Sequence, residues 1–510
     1  MQITKETLGQ MFQNVMKGRN AGLPPEMIPS VMKAITQSTG LVWYDLEPYA
    51  KLLFPVITPL RNEIPRVPGA GGTSTHWISI TGINIANVSI GLGEGQRGGS
   101  VTTQVINNIA LYKSFGLDDS VTFEADLAAV NFDDAKELAV SNLLRAVMIG
   151  EEKAIVGANA SLALGLTPLP SVADAGTAKG IINANTLVSV ICVALTFDGF
   201  LADSVAGGVL ASVSRTNTDG SSVTYGGGSA QKSSAASVTT ANDATNTHGV
   251  SASVTAVNGA VGYAWFWGPA GSEKLGQITT INSALLTTAA GTGTQLASSL
   301  PNSDNSQNQL LFDGLLTQIF TPGSNSIVTV QPTGTAGTGT PLTADGAGGI
   351  VEIDTALKAF WDNSRLSPQV ILVNSQELLN ITKKVVAGGQ APLFRFLIDS
   401  ASITNPSQLQ ATAGTVVGQY LNKFTMAGGQ LINVLLHPNV PPGTLIFYSR
   451  SLPYPLSNVK NLLQMKMRRD YFQIEWPIVR PAYEYSVWAN GLLQNYFPPA
   501  FGVITNIGNG

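Results

Sequence analysis

Cysteine is nearly absent: Cys192 is the single thiol in 510 residues, so the chain cannot carry a disulfide framework of its own. Histidine is scarce too. His76, His248 and His437 fall in three different segments, which leaves a histidine-based metal site or a nucleophilic triad short of parts. Only 12% of residues are charged, about half of the roughly 25% in an average soluble protein. The 28 basic residues face 32 acidic ones, a balance that excludes a strongly electrostatic nucleic-acid binder. The 44% hydrophobic content excludes a charged disordered chain. No long hydrophobic run occurs. The most apolar stretch, LVSVICVALTFDGFL at 187–201, is too short to span a bilayer and rich in β-branched residues, so it reads as a buried strand. The opening residues MQITKETLGQMF show no signal peptide. A soluble chain made in a cytoplasm is expected, with the lone thiol at home in a reducing compartment. Phosphate-binding GxxxxGK[ST] and hydrolase GxSxG motifs are missing. The glycine-rich GLGEGQRGG at 91–99 is followed by no strand-to-helix switch. No cofactor is implied.

What is present is enough chain to bury a large core without disulfide or metal. Its length corresponds to about three domains. Scarce charge has two readings: a surface covered by other subunits, or a Ser/Thr/Asn-rich β surface that needs no partner. Residues 1–68 read as an arm, broken by Pro24, Pro25, Pro29, Pro48, Pro55, Pro59, Pro65 and Pro68, with room for a short helix around 26–37. Its apolar residues, Trp43 among them, must lie on something else. Residues 73–107 alternate as a long hairpin, HWISITGINI and VTTQVI about a glycine-rich tip, and an isolated two-stranded hairpin is marginal in water. Residues 131–156 carry the clearest helix signal, with Asn131 as N-cap, Asp133 and Asp134 in the first turn and a stop at Gly157.

From about 165 the composition changes. Residues 165–310 hold four basic and seven acidic residues, a net charge of −3, and alternate strand-like runs with Gly/Ser/Asn turns. This is the pattern of a β-sandwich. Within it, 215–249 reads as a mobile loop or loose hairpin. In YAWFW, Trp265 and Trp267 share one face and Phe266 takes the other, as core and edge packing. Beyond 310 the signals are mixed α/β: LLFDGLLTQIF as a short helix, a Gly/Thr-rich linker at 332–349, Asp354 capping TALKAFWDN, PQVILVN as a buried strand, and Ser375 capping a helix that ends at Gly388 and Gly389. The segment 416–510 is rich in strands.

Candidate chemistry is thin. Glu151–Glu152 and Asp133–Asp134 are adjacent on a helix and do not face each other, so a solvated face or an intersubunit contact is expected rather than paired-carboxylate catalysis. Lys466, Arg468 and Arg469 form the densest basic cluster, with acidic groups of a neighbour as the preferred partner over phosphate. Cys192 reads as buried and inert, and the histidines as structural or surface groups. The candidate intersubunit contacts are Trp43, Trp77, Arg97, Glu151, Glu152, Arg468 and Arg469. There is no candidate catalytic, cofactor or metal residue. The arm and hairpin cannot stabilise themselves, which describes a subunit completed by its neighbours.

The order of these parts resembles the major capsid protein of tailed bacteriophages, the Hong Kong 97-type fold. THWISITGINI through GLGEGQRGG to LYKSFGLDDSVTFEADLAAVNFDDAKELA is similar to the family's E-loop leading into its spine helix. LLFDGLLTQIF and PQVILVNSQELLNITK resemble its axial domain. LLHPNVPPGTLIFYS and MKMRRDYFQIEWPIVRPAYEYSVWANGLL resemble the return to its peripheral domain. The resemblance covers about 1–160 and 310–510, and 165–310 is similar to the immunoglobulin-like or fibronectin-like insertions of some members. It implies an α+β fold with an N-arm (1–68), E-loop hairpin and flank (69–120), spine helix with P-domain (121–164), inserted sandwich (165–310), A-domain (311–470) and returning P-domain strands (471–510). It implies further that copies of the chain form the pentamers and hexamers of an icosahedral head around double-stranded DNA. Assembly in the host cytoplasm, a scaffolding protein, a portal, a possible decoration protein, weak non-specific DNA contact and no membrane follow from it. The insert is expected to point outward and to be removable without loss of assembly. Competing readings are a phage structural or surface adhesin whose sandwich binds glycan through YAWFW, and an enzyme with a site of unrecognised type.

Overall fold

The computed structural model describes residues 56–83, 90–129, 134–217, 219–244, 246–387, 417–426, 428–455 and 457–509. The arm up to residue 55, including Trp43 and the helix expected at 26–37, lies outside these residues, as do Asn131, Asp133, Gly388 and Gly389. Phe54–Glu124 and Lys136–Gly510 form one compact unit. The fold is α+β.

In chain order, a one-turn helix α1 (Pro59–Glu63) leads to β1 (Arg66–Pro68). Strands β2 (Ser74–Ile83) and β3 (Thr103–Leu111) pair antiparallel as a two-stranded ribbon. Strand β4 (Lys113–Thr122) leaves the ribbon, and α2 (Phe123–Ala129) precedes the long helix α3 (Ala135–Gly157). The sequence signal for α3 holds to its stop at Gly157, and in its last turns Glu151, Glu152 and the residues from Ala154 to Gly157 are buried.

Next come β5 (Ser171–Gly176), β6 (Leu187–Leu195), short helix α4 (Phe197–Ala202), β7 (Ser212–Thr216), β8 (Ser222–Gly226), β9 (Ala236–Thr239), β10 (Gly249–Ser253), β11 (Gly262–Gly268), β12 (Lys274–Thr279) and β13 (Ser283–Leu286). They form sheets ordered β13-β10-β5 and β12-β11-β6-β9, with β7-β8 as a separate hairpin. The first two sheets share one apolar cluster, to which β6 gives Val188, Val190, Cys192 and Ala194 and β11 gives Trp265 and Trp267. The opposite faces of β6 and β11 supply Ile191, Val193, Leu195 and Phe266 to a second cluster with Val209, Leu275 and Leu300. Burial on both faces is why these strands are apolar runs without alternation. The indole N–H groups of Trp265 and Trp267 donate to Thr279 Oγ1 (2.9 Å) and the Thr288 carbonyl (2.8 Å). Cys192 is buried, and burial pushes its thiol well up from its usual range.

Of the two readings for 215–249, a mobile loop or a loose hairpin, the structure shows a hairpin, β7-β8, over its first part. The segment holds the end of β7, β8 and β9, and Ala230, Ser233, Thr240 and His248 are buried. Small side chains let hydroxyls pair across the β7-β8 hairpin, as Ser214 and Thr224 do at 2.8 Å.

The remaining elements are α5 (Leu315–Phe320), β14 (Ile327–Val330), α6 (Val351–Ser364), β15 (Val370–Val373), α7 (Ser375–Ala387), β16 (Gln419–Asn422), β17 (Gln430–Leu436), β18 (Leu445–Tyr448), β19 (Leu463–Glu475), β20 (Ala482–Asn495) and β21 (Gly502–Thr505). Six of them make a mixed sheet, β14-β21-β18-β15-β17-β16, and β1-β19-β20-β4 make a second. Central strands β15, β18 and β21 are buried throughout, with Phe360 of α6 edge-on to Phe447 at 5.6 Å. The expected domain boundary at 470/471 falls inside β19, and β21 returns to the six-stranded sheet rather than to β19 and β20.

Two expected caps shift. Helix α6 starts at Val351, so Asp354 sits inside it, bonded to the Tyr420 hydroxyl (2.8 Å) and Lys423 (2.9 Å). Asn374, not Ser375, opens α7: its carbonyl accepts from Leu378 N–H (2.9 Å) and its side chain from Gln376 N–H (3.0 Å). The 332–349 linker is packed rather than free. Leu342 is buried, and a methyl on Gly339 (φ +71°) would meet Ile281 at 3.3 Å.

The 165–310 segment is fastened to the rest. Asn506, left-handed at φ 63°, accepts Asn282 N–H (2.8 Å) and donates to the Gln331 carbonyl (2.6 Å). Asn258 donates to the Phe320 carbonyl (2.8 Å), and Phe197 and Val261 belong to the main core. Excision of 165–310 would break these contacts.

Asp198 and Asp203 flank the last turn of α4, each with a buried Oδ2 that has no partner among the described residues. Burial pushes Asp198 up to about 6 and Asp203 up to about 7 from 3.8. A raised folded-state value means that stability is fully present below the unfolded value and lost as pH rises through the folded one. The wild type should therefore lose stability between about pH 4 and 7, and Asp203→Asn should flatten that loss and raise stability at pH 8 by on the order of 2 kcal/mol. Melting curves across pH check this. Packing gives a second test. A methyl on Gly314 would lie 2.4 Å from the Ala154 carbonyl of α3, whereas one on Gly150 meets nothing within 4 Å. Gly314→Ala should destabilise by about 1–3 kcal/mol, and Gly150→Ala should stabilise by up to about 1 kcal/mol, both read by thermal denaturation.

Candidate functional site

Glu151 and Glu152 end up 2% and 0% exposed. They were expected on a solvated face or at a subunit contact, and the structure places them inside their own chain. Burying carboxylates costs several kcal/mol unless they are paired, and partners arrive from both sides of the helix. Glu152 accepts the backbone N–H groups of Leu60 (3.0 Å) and Arg61 (2.7 Å), the open donors of the first turn of α1, where Thr58 supplies no side-chain cap. It also lies 2.7 Å from His437 Nε2. Asn439 N–H donates to His437 Nδ1 (3.2 Å), which leaves Nε2 to carry the ring hydrogen toward Glu152.

Glu151 faces the other way. It accepts Arg61 Nε (2.9 Å), Arg66 Nη1 (2.7 Å) and the Tyr471 hydroxyl. Burial, then the Glu151 charge, push the Tyr471 phenol up, so it stays protonated and donates. Arg66 also pairs with Asp470 (2.7 Å), and both guanidinium groups lie over the Tyr471 ring, at 5.1 Å for Arg61 and 4.8 Å for Arg66. This node joins four segments: 58–68, α3, the turn at His437 and β19. Arg61, Arg66, His437, Asp470 and Tyr471 were not singled out from sequence as its partners. The signal available was the odd placement of two acids beside a long apolar helix end.

The ribbon is the second feature. In the β2-β3 register His76 pairs with Ile109, Ile78 with Asn107 and Ile80 with Val105, so Ile78, Ile80, Val105, Ile109 and Leu111 share one face. Ile78 and Ile80 are 71% and 70% exposed, and the others are exposed as well. Trp77 points from the opposite face, edge-on to Tyr496 of the same chain at 6.2 Å, where Ser79 also donates to the Tyr496 carbonyl (3.4 Å). Trp77 therefore anchors the ribbon to its own body, and the open face belongs to the isoleucines. Alternation in HWISI could have separated the two. Arg97 is exposed in the 90–102 stretch, which forms no strand and also exposes Ile90, Leu92 and Val101.

The basic cluster is partly used within the chain. Arg468 donates to the Gly72 carbonyl (2.8 Å) at the root of the ribbon, and Arg469 lies 3.7 Å over the Phe472 ring. Among the described residues no group of three or more His, Cys, Asp or Glu side chains is arranged to hold a metal ion, and no helix is long and apolar enough to cross a membrane.

No protein-family model and no curated protein sequence matches the chain. Solved structures align with it over most of its length. Against the capsid of the native GTA particle the identity is 9% and the TM-score 0.40, covering 93% of this chain and 99% of that one. Against the holo-SrpI encapsulin complex from Synechococcus elongatus PCC 7942 the values are 9% and 0.39, with 92% and 94% covered. Against the cyanophage A-1(L) capsid asymmetric unit they are 13% and 0.40, with 92% and 98% covered.

Removal of Glu152 leaves two backbone donors and His437 unpaired in the core. Glu152→Ala should cost about 3–5 kcal/mol, with hydrogen-exchange protection of residues 58–68 falling first. Unchanged protection there would show that the node does not hold the segment.

Proposed function

We propose that the chain is the major capsid protein of a tailed phage, a self-assembling shell subunit of the Hong Kong 97-type fold. The observation that carries this reading is the β2-β3 ribbon. One of its faces is spent on Trp77 and Tyr496, while the other offers a row of β-branched and leucine side chains to water. A monomer gains nothing from such a face, and contiguous exposed apolar surface marks an interaction site. A second copy of the chain covers it in this reading, and pentamers and hexamers repeat the contact around a head enclosing double-stranded DNA. The near-neutral charge suits weak, non-specific DNA contact, because a strongly basic lining would retain the genome. Assembly takes place in the host cytoplasm, with a scaffolding protein, a portal and possibly a decoration protein as further partners. Residues 165–310 act as an immunoglobulin-like insertion on the outer surface.

The glycan-binding adhesin reading rested on the Tyr263–Trp267 strand. All five of its side chains are buried, so they offer no platform to a sugar.

Expressed alone or with its scaffold, the wild type should give closed shells or capsomers in negative-stain micrographs. Ile78→Asp with Ile80→Asp places two charges on the open ribbon face without touching the core. It should yield folded subunits that melt within a few degrees of wild type but do not close into shells. Shells from the double variant, or a monodisperse monomeric wild type, would overturn the proposal.

A further inference from the structure

His248 immediately precedes β10 and is 1% exposed. Its Nδ1 lies 3.2 Å from Asp174 Oδ2 on β5, and its Nε2 lies 3.1 Å from Asp243 Oδ1, in the segment between β9 and β10. An ionised carboxylate only accepts hydrogen bonds. Satisfying two of them requires a hydrogen on each ring nitrogen, which is the imidazolium form. The same Asp174 accepts Ala241 N–H at 2.7 Å and Gly176 N–H at 2.9 Å. One carboxylate therefore grips both ends of the 241–248 segment, the near end through a backbone amide and the far end through His248. The residues described between those ends are exposed.

We propose that His248 is a proton-operated clasp: protonated, it ties the 241–248 segment to strand β5, and loss of its proton loosens that segment, leaving it on its backbone bonds to Ile182, Lys179 and Asn185. Among the described residues, the charged groups around it include Asp174 on β5, Asp243 on its own segment, and the exposed Lys179 on the turn whose backbone pairs with Thr247. Strand β13, paired to β10, carries no ionisable side chain. The hydrogen bond from Asp243, then that from Asp174, raises the imidazole above its usual 6.5. Asp174 is held below its ordinary range: against its burial act the amides of Ala241 and Gly176, then His248. The signs bound a window. On the acid side the clasp opens as pH falls through the depressed carboxylate. On the alkaline side it opens as pH rises through the elevated imidazole.

Hydrogen exchange by mass spectrometry on the full chain tests this, with times scaled for intrinsic exchange and the β6 peptide as an internal control. Protection of the 241–250 peptide should fall about tenfold or more between about pH 6 and pH 9, while β6 holds. His248→Gln should show the low value at both pH values. Asp243→Asn, an exposed change that removes one of the two carboxylates, should move the loss of protection to lower pH. Protection that is independent of pH in the wild type, or a loss that persists in His248→Gln, would overturn the clasp. If His248→Gln does not fold, an unshifted midpoint in Asp243→Asn would do the same.

Discussion

Two adjacent carboxylates inside a protein must each find compensating charge or donors, and on a helix they point in different directions. Glu151 and Glu152 meet that constraint where α3 enters the core, and much of the architecture answers to it. Glu151 recruits Arg61, Arg66 and Tyr471, while Glu152 recruits the first amides of α1 and His437. The segment after the arm, the long helix, the six-stranded sheet and the β19 strand are thereby held at one point. The geometry makes α1 dependent on the helix it docks against. A five-residue helix cannot persist on its own in water, and here its open amides are capped by a side chain 92 residues away.

From that point the ribbon follows. Strand β1 lies parallel to β19, and Arg468 of β19 bonds Gly72 at the ribbon's root. With its base fixed and Trp77 seated on Tyr496, the ribbon projects one apolar face that nothing in the described chain covers. A two-stranded sheet with a bare hydrophobic face is stable only when something completes it. This is the physical link between the buried charges at the centre and an assembly role at the surface.

The two-sheet region between β5 and β13 follows a different logic. Its four-stranded sheet is covered on both faces, so it needs no partner for its core. The low charge of this region is satisfied by hydroxyl and backbone hydrogen bonds, and its polar clusters are local, as with Asp174, Asp243 and His248. Scarce charge thus has two causes in one chain. In the two-sheet region it reflects a Ser/Thr/Asn surface, and in the ribbon it accompanies apolar groups left open.

Sequence by itself determined what depends on near neighbours. The unbroken run at 187–195 meant a strand buried on both sides, the 3.6-residue stripe meant the long helix and its stop at Gly157, and the alternation of Trp265, Phe266 and Trp267 divided them between two faces. The open ribbon was legible as a hairpin lacking support, but that Trp77, a candidate intersubunit contact, packs edge-on to Tyr496 of its own chain was not. Tertiary structure alone decided what depends on partners far along the chain. Glu151 meets Tyr471 and Glu152 meets His437 across hundreds of residues, so a helical pattern that read them as surface acids could not see the groups that bury them. The cap at Asp354 failed for the same reason, because Tyr420 and Lys423 claim its carboxylate, whereas the cap at Ser375 moved by one residue for a local reason, Asn374 reaching the Gln376 amide. Periodicity reports which side of an element faces inward. It carries no information on which distant residue waits there, because that is set by the path of the whole chain.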